Sequence, residues 1–251
     1  MGALSGKVAL ITGAGRGFGE ATAALFADEG AELALSYLHS DAGCEAVAER
    51  ARANGQRAVS IQADMRDDDA ITALAGRALD EFGRVDILVN NAGVLYRGPF
   101  HASSESDWRD ELEVNIFGPL RLTRRLLPHM IERGQGRIIN LSSQLAPTGG
   151  NGMAVYSGTK GFILSWTKSL AQEVGQYGIN VNAIGPGSIV TDMNLALYPD
   201  EEARARRASE LPLRRLGSPR DVAACALFLA SDASNFLTGQ MLGPNGGNVM
   251  P

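Results

Sequence analysis

Val8-Ala9-Leu10-Ile11-Thr12-Gly13-Ala14-Gly15-Arg16-Gly17-Phe18-Gly19 is the stretch that decides the fold. An apolar, β-branched run at 8–12 predicts a buried strand, and the segment 16–28 after it has the length and periodicity of a helix. Glycines at 13, 15, 17 and 19 fill the junction. They permit a tight turn and a close approach of backbone to a pyrophosphate, while the helix start offers free N–H groups and a positive dipole end. The spacing is not G-x-G-x-x-G, because Phe18 stands where the third glycine of that pattern falls and the last glycine comes at Gly19.

Outward from this junction, short apolar runs alternate with longer amphipathic ones. Strands are predicted at 8–12, 32–36, 58–62, 87–90, 137–141, 179–184 and 240–242. Helices are predicted at 16–28, 41–53, 67–82, 106–132, 154–174 and 219–230, with an irregularity in the fourth at Gly118-Pro119. This alternation implies βαβ units, and hence an α/β fold with a parallel sheet covered by helices on both faces. No linker, composition break or repeat divides the chain, so residues 1–251 are expected to form a single domain. In such sheets ligands bind beyond the carboxyl ends of the strands. Polar and glycine signals fall there after five of the runs: Thr12-Gly13, Asp64, Asn90-Asn91-Ala92-Gly93, Ser142-Ser143 and Gly185-Pro186-Gly187.

Composition narrows the function classes. The 251 residues are 45% hydrophobic and 20% charged, with a formal net charge of −5. That is an ordinary globular balance, and the acidic sign argues against nucleic acid as a partner. No apolar run approaches the ~20 residues of a membrane span. The N-terminus lacks a signal peptide's charged and apolar blocks, and Cys44 and Cys225 read as reduced core residues. A cytoplasmic location is expected. The three histidines show no ligand spacing, and no metal site is expected.

Tyr156 and Lys160 lie four residues apart in a predicted helix, and so on one face of it. A free phenol titrates near ~10. Bringing it to ~7 takes roughly 4 kcal/mol, about what one cation ~4 Å away supplies at an effective dielectric of ~20. The spacing therefore predicts a phenol poised as general acid or base.

Taken together, the Thr12–Gly19 loop (T-G-x-x-x-G-x-G), Asn90-Asn91-Ala92-Gly93, Ser143, Tyr156-x-x-x-Lys160 and Pro186-Gly187 resemble the short-chain dehydrogenase/reductase family over nearly the whole chain. The resemblance implies a Rossmann fold, a doubly wound seven-stranded parallel sheet, and a nicotinamide dinucleotide cofactor. It further implies catalytic roles for Asn115, Ser143, Tyr156 and Lys160. Ser143 and Tyr156 would hold and polarise a carbonyl oxygen, Tyr156 would donate the proton, Lys160 would also hold the nicotinamide ribose, and Asn115 would support a water relay to the lysine. Cofactor contacts are implied for Gly13, Gly15, Arg16, Gly17, Phe18, Gly19, Ser36, Asp64, Met65, Asn91, Ala92, Gly93, Tyr156, Lys160, Pro186, Gly187, Ile189 and Thr191.

The predicted second strand ends Leu35-Ser36-Tyr37-Leu38-His39-Ser40, without the acid that usually selects NAD through the ribose 2′-OH. Arg16 occupies the place where NADP-preferring relatives often carry a base. NADP(H) is favoured, with NAD(H) the alternative. The substrate pocket is expected to take in Ser143, Gln144, Leu145, Asn151, Met153 and Tyr198, under a lid at 192–216. The chain looks like the 3-oxoacyl-carrier-protein reductases, ketone reductases and sugar or polyol dehydrogenases of the family. Tyr177 and Gly134 stand where carrier-binding members tend to have basic residues, so a free small ketone or secondary alcohol is the expected partner. A regulatory dinucleotide-binding protein without turnover, or a lyase or epimerase using the nucleotide transiently, is the other-class reading. Relatives are commonly tetramers, and a homotetramer is expected. Asn245 departs from the Asp that usually precedes the two glycines 246 and 247.

Overall fold

Alternate residues of the first strand serve opposite faces of one sheet. Ala9 and Ile11 join one buried cluster, Val8 and Leu10 the other, as the two-residue strand period requires. The computed structural model describes residues 2–250; Met1 and Pro251, the ends of the expected domain, lie outside the described residues. Seven strands form the sheet: β1 (Val8–Ile11), β2 (Glu32–Tyr37), β3 (Ala58–Gln62), β4 (Ile87–Asn90), β5 (Gly136–Leu141), β6 (Ile179–Ile184) and β7 (Met241–Leu242). Their order is β3-β2-β1-β4-β5-β6-β7. Every pairing is parallel, with registers such as Val8 opposite Glu32, Leu10 opposite Leu88 and Leu141 opposite Ile184. This is the doubly wound Rossmann arrangement, with its switch point between β1 and β4.

The helices are α1 (Gly17–Asp28), α2 (Asp41–Ala53), α3 (Asp68–Phe82), α4 (Glu105–Leu112), α5 (Gly118–Arg133), α6 (Leu145–Thr148), α7 (Ala154–Val174), α8 (Glu201–Glu210) and α9 (Pro219–Ala230). Phe26, Val47 and Val222 from α1, α2 and α9 cover one face of the sheet. Leu74, Leu126 and Leu170 from α3, α5 and α7 cover the other. Each side is an apolar layer, which is why the central strand β1 reads as an unbroken hydrophobic run. Among the described residues no helix is long and apolar enough to cross a membrane.

Three local features depart from the periodicity. The helix expected over 106–132 is interrupted by a π-helical turn at Glu113–Phe117. The interruption falls just before Gly118-Pro119, where proline cannot continue the upstream hydrogen-bond ladder. Helix α3 begins one residue late because Asp67 is its cap, its carboxylate accepting from the N–H groups of Asp69 and Ala70. Finally, α8 forms inside 192–216, capped by Asp200, whose carboxylate accepts from Ala203 N–H.

Candidate active site

Thr12, at the end of β1, organises the rim. Its hydroxyl oxygen accepts from the N–H groups of Asn91 and Ala92, both at 3.0 Å. In return the Asn91 amide donates to the carbonyls of Thr12 (2.8 Å) and Gly13 (3.1 Å). The loops after β1 and β4 are thus cross-braced. Gly19 fits beneath them: a Cβ there would lie 2.2 Å from the Gly13 carbonyl oxygen. Gly15 is fixed by a different neighbour, since its Cβ would fall 2.1 Å from the Ser40 carbonyl oxygen. Gly13 and Gly17 adopt left-handed backbone (φ 64° and 60°), which a side chain disfavours.

The loop forms a concave cradle. Nothing lies within 4 Å of the Cβ position at Gly17. Helix α1 begins there without a side-chain cap, so its first N–H groups face outward. Arg16, the residue before it, is exposed and makes no ion pair among the described residues. An uncapped helix start and a left-handed glycine loop fit the diphosphate half of a dinucleotide, and the exposed guanidinium beside them suits a further phosphate. Ser36 sits at the expected strand end but is 1% exposed, and its carbonyl accepts the Ala14 N–H at 2.8 Å. The Asp64 carboxylate is engaged by the guanidinium of Arg66 at 2.7 Å, which holds it below the usual carboxylate range. Met65 is buried against Gly118 at the start of α5.

The chemistry-bearing side chains gather at the ends of β4 and β5 against α7. Lys160 is 4% exposed, and its Nζ donates to the Leu141 carbonyl at 2.9 Å. The nitrogen lies 5.6 Å from the centre of the Tyr156 ring. Ser142 Oγ donates to the Lys160 carbonyl at 2.8 Å, and Ser143 Oγ accepts the Leu145 N–H at 3.1 Å. Asn115, in the π-helical turn, accepts from Val94 N–H and donates to Val94 O, both at 2.9 Å, and also donates to Thr159 Oγ1 at 3.2 Å. A Cβ on Gly93 would be 3.3 Å from Asn115 Oδ1 and 3.6 Å from Lys160 Nζ. Gly93 therefore lets the amide and the ammonium converge.

Electrostatics here differ from the expectation for an isolated phenol–ammonium pair. Burial pushes the Tyr156 phenol up to about 12; a hydrogen bond with Ser143 partly offsets this, and the charge of Glu111 adds to it. Burial also brings Lys160 down to about 8, with Glu111 opposing the fall. The expected depression of Tyr156 by Lys160 does not occur, because desolvation of the phenol outweighs the charge of a lysine whose nitrogen is turned toward β5.

On the substrate side, Leu145 and Met153 meet over Gly150, where a Cβ would be 3.1 and 2.9 Å from them. Gln144 accepts a hydrogen bond from Asn248 at 3.0 Å. Asn151 is exposed. Tyr198 is buried, with its carbonyl accepting from Arg204, and no hydrogen bond among the described residues ties it to Ser143 or Tyr156. Pro186 and Gly187 follow β6, and the Pro186 carbonyl accepts the Gln144 N–H at 3.1 Å. Ile189 is buried and pairs with Gly217; Thr191 is half-buried just before the 192–197 turn.

Two contributors escaped the sequence reading. Gly43, inside α2, packs on the loop: its Cβ would be 2.0 Å from the Gly15 carbonyl oxygen. A glycine in a helix was the available signal. Glu111 is a buried acid one helical turn before Asn115, and its Oε1 accepts the Tyr96 N–H at 2.8 Å. Nothing in the local sequence marks it, because the segment 105–113 carries several acids and burial selects this one.

Comparison with known proteins gives a consistent picture. A family model described as enoyl-(acyl carrier protein) reductase matches residues 13–248. The chain is 38% identical over 244 residues to a 3-oxoacyl-[acyl-carrier-protein] reductase of Staphylococcus aureus, covering 97% of this chain and 98% of that protein. A crystal structure of a candidate NAD(P)-dependent gluconate 5-dehydrogenase from Beutenbergia cavernae, with bound NADP at low occupancy, superposes with a TM-score of 0.91 at 36% identity, covering 98% of each chain. A blue fluorescent protein from a metagenomic library, in complex with NADPH, superposes with a TM-score of 0.92 at 35% identity, covering 99% of this chain and 100% of that one.

Proposed function

Because this chain belongs to the short-chain dehydrogenase/reductase family of oxidoreductases acting on CH–OH and C=O groups, we propose that it exchanges hydride between NADP(H) and a free small ketone or secondary alcohol, with Tyr156 as the proton donor. The observation that carries this reading is the convergence of Asn115, Ser143, Tyr156 and Lys160 beside the glycine cradle at the start of α1.

Gly13, Gly15, Gly17, Phe18 and Gly19 would hold the diphosphate, with Asn91, Ala92 and Gly93 alongside. Asp64 and Met65 would border the adenine, and Pro186, Gly187, Ile189 and Thr191 the nicotinamide half. The nicotinamide supplies or accepts the hydride. Ser143 Oγ and Tyr156 Oη orient the substrate oxygen by hydrogen bonding. Tyr156 Oη–H gives its proton to that oxygen as charge develops on it, and oxidation reverses the transfer. The phenol is protonated at neutral pH, as a proton donor to a carbonyl oxygen must be. Lys160, buried and held by the Leu141 carbonyl, stands ready to return a proton to the phenolate.

The uncommitted Arg16 at the N-terminus of α1 supports NADP(H), since a guanidinium recognises a 2′-phosphate better than a ribose hydroxyl. The NADP bound to the Beutenbergia protein and the NADPH bound to the metagenomic one add support. An acyl-carrier substrate is the second reading, favoured by the Staphylococcus relative's name. Against it stand the net charge of −5 and the uncharged Tyr177 and Gly134 where a basic docking surface would be needed to meet an acidic carrier. Segment 192–216 would close over the substrate, with α8 tethered through Arg207 to Ser188 Oγ (2.9 Å) and Asn248 (2.9 Å). Exposed Phe117, Phe162 and Phe228 favour burial against further copies, as a homotetramer.

A panel of ketones, an acetoacetyl thioester and gluconate, assayed with both phosphorylated and unphosphorylated nicotinamides, tests the reading. Turnover of a free ketone or alcohol with NADP(H) supports it. Absence of cofactor turnover across the panel contradicts it, and a large NADH preference refutes the Arg16 argument.

A further inference from the structure

Glu111 is 1% exposed, at the C-terminal end of α4, and has no arginine or lysine in ion-pair contact among the described residues. Glutamate is seldom buried without a partner, because removing its charge from water is costly. One oxygen is held by the Tyr96 N–H. The residue lines a cavity of about 140 Å³ together with Tyr96, Asp107, Trp108 and Val155, roomy enough for several waters. Val155 precedes Tyr156, so the cavity abuts the reacting helix from behind. Helix α4 packs directly against α7, as does the π-helical turn that carries Asn115.

The groups facing Glu111 can be named element by element. From α7, Val155 borders the cavity, and Lys160 Nζ converges over Gly93 with Asn115, one turn after Glu111; from the loop after β4 come Tyr96 and Arg97, and from α4 itself Asp107. Asp110 is turned to Arg66 at 3.3 Å. Arg97 borders the same cavity but forms no ion pair with Glu111. Lys160 is the buried cation on this side of the site, and Glu111 is the buried anion.

We propose that Glu111 is the counter-charge of Lys160, a positioning residue whose carboxylate holds the lysine in its ammonium form and so sets the pH range over which the Tyr156–Lys160 pair exchanges protons. The inference rests on the proposed roles of those two residues. Supporting it, Glu111 is the one charge among the described residues that acts on both: it raises Lys160 against the effect of burial and adds to the rise of Tyr156. Lys160 in turn draws Glu111 down, although burial leaves its carboxyl raised. Removing the carboxylate would make the ammonium easier to deprotonate. In reduction Lys160 must be charged to return a proton to Tyr156, so the alkaline loss of activity should move to lower pH.

The experiment is a double-mutant cycle with Glu111→Gln and Lys160→Met, read by urea unfolding of the whole chain, paired with a pH–rate profile for NADPH-dependent reduction of ethyl acetoacetate. Gln keeps an acceptor for the Tyr96 N–H, so the loop-holding role cancels across the cycle. Glu111→Gln should lower the unfolding equilibrium constant's margin about tenfold more when Lys160 is present than in the Lys160→Met background, and the difference should vanish at alkaline pH where the lysine is neutral. The alkaline limb of the rate should fall by about one pH unit in Glu111→Gln and stay near wild type in Glu111→Asp. Absence of either the coupling or the shift overturns the proposal. If the ester is not turned over, the catalytic reading fails at that substrate while the cycle, which needs no turnover, still decides. If Glu111→Gln alone does not fold, adding Lys160→Met must restore folding, and failure to do so also overturns the proposal.

Discussion

Lys160 directs its ammonium to the carbonyl of Leu141 at 2.9 Å while lying 5.6 Å from the centre of the Tyr156 ring. Its direct partner is therefore the end of β5, and its relation to the phenol is through space. An enclosed lysine brought from the usual 10.5 down to about 8 binds its proton less readily when folded than when unfolded. The folded state is thus penalised below pH 8, and stability rises as pH climbs from there to 10.5. The penalty is on the order of 3 kcal/mol at neutral pH. Lys160→Met removes it but leaves the Leu141 carbonyl without a donor, which costs about 1–2 kcal/mol. Urea melts should show the variant stabilised by about 1–2 kcal/mol at neutral pH, with the gain lost by pH 10.5 and with turnover abolished.

Two glycines of the first loop should fail differently. At Gly15 an added Cβ meets the Ser40 carbonyl oxygen at 2.1 Å, a backbone atom that cannot step aside. At Gly17 the added Cβ meets nothing within 4 Å and suffers only from the left-handed φ of 60°. Gly15→Ala should destabilise the fold by more than about 2 kcal/mol, and Gly17→Ala by about 1 kcal/mol. Because the open space above Gly17 is where the diphosphate would pass, Gly17→Ala should still weaken NADPH binding clearly. Denaturant melts alongside cofactor titrations separate the two effects.

Arg16 is exposed, its side chain caps no helix N–H, and it makes no ion pair among the described residues. A guanidinium–phosphate bond is worth about 1.5–3 kcal/mol, so Arg16→Ala should raise the KM for NADPH roughly 10- to 100-fold and leave that for NADH nearly unchanged. Equal losses for both cofactors would assign the residue to the diphosphate shared by the two.

Asn115 spends its side chain on the fold. It accepts from and donates to Val94 and donates to Thr159. Asn115→Leu leaves the Val94 N–H and carbonyl without these partners, so a loss of about 2–4 kcal/mol in unfolding free energy is expected together with reduced kcat. A kcat loss at unchanged stability would instead mean that the amide serves the reaction directly.

Much of this was legible because the sequence signals were periodic or steric. The alternation of Val8, Ala9, Leu10 and Ile11 between two apolar layers, and the apolar run of β4, made the parallel sheet readable. The glycines at 13–19 marked the loop because Gly15 and Gly19 meet backbone where a Cβ would stand, while Gly13 and Gly17 take left-handed φ. The π-helical turn was only half visible: Gly118-Pro119 announced an irregularity, but not its place one turn upstream. Glu111 was missed because local composition shows charge and not burial; only the packing of α4 on α7 encloses it. The Tyr156 expectation erred for the same reason. Residue spacing gave the face of the helix, while the direction of the lysine nitrogen and the desolvation of the phenol depend on β5 and the surrounding packing.

The central claim is that the Tyr156 hydroxyl carries the proton. Tyr156→Phe keeps the ring and its packing and removes only the oxygen. With NADPH and whichever carbonyl of the panel the wild-type chain reduces, kcat should fall by at least about 10²–10⁴-fold, while NADPH affinity and thermal stability stay close to wild type. A Tyr156→Phe protein that reduces the same carbonyl at the wild-type rate would contradict the account.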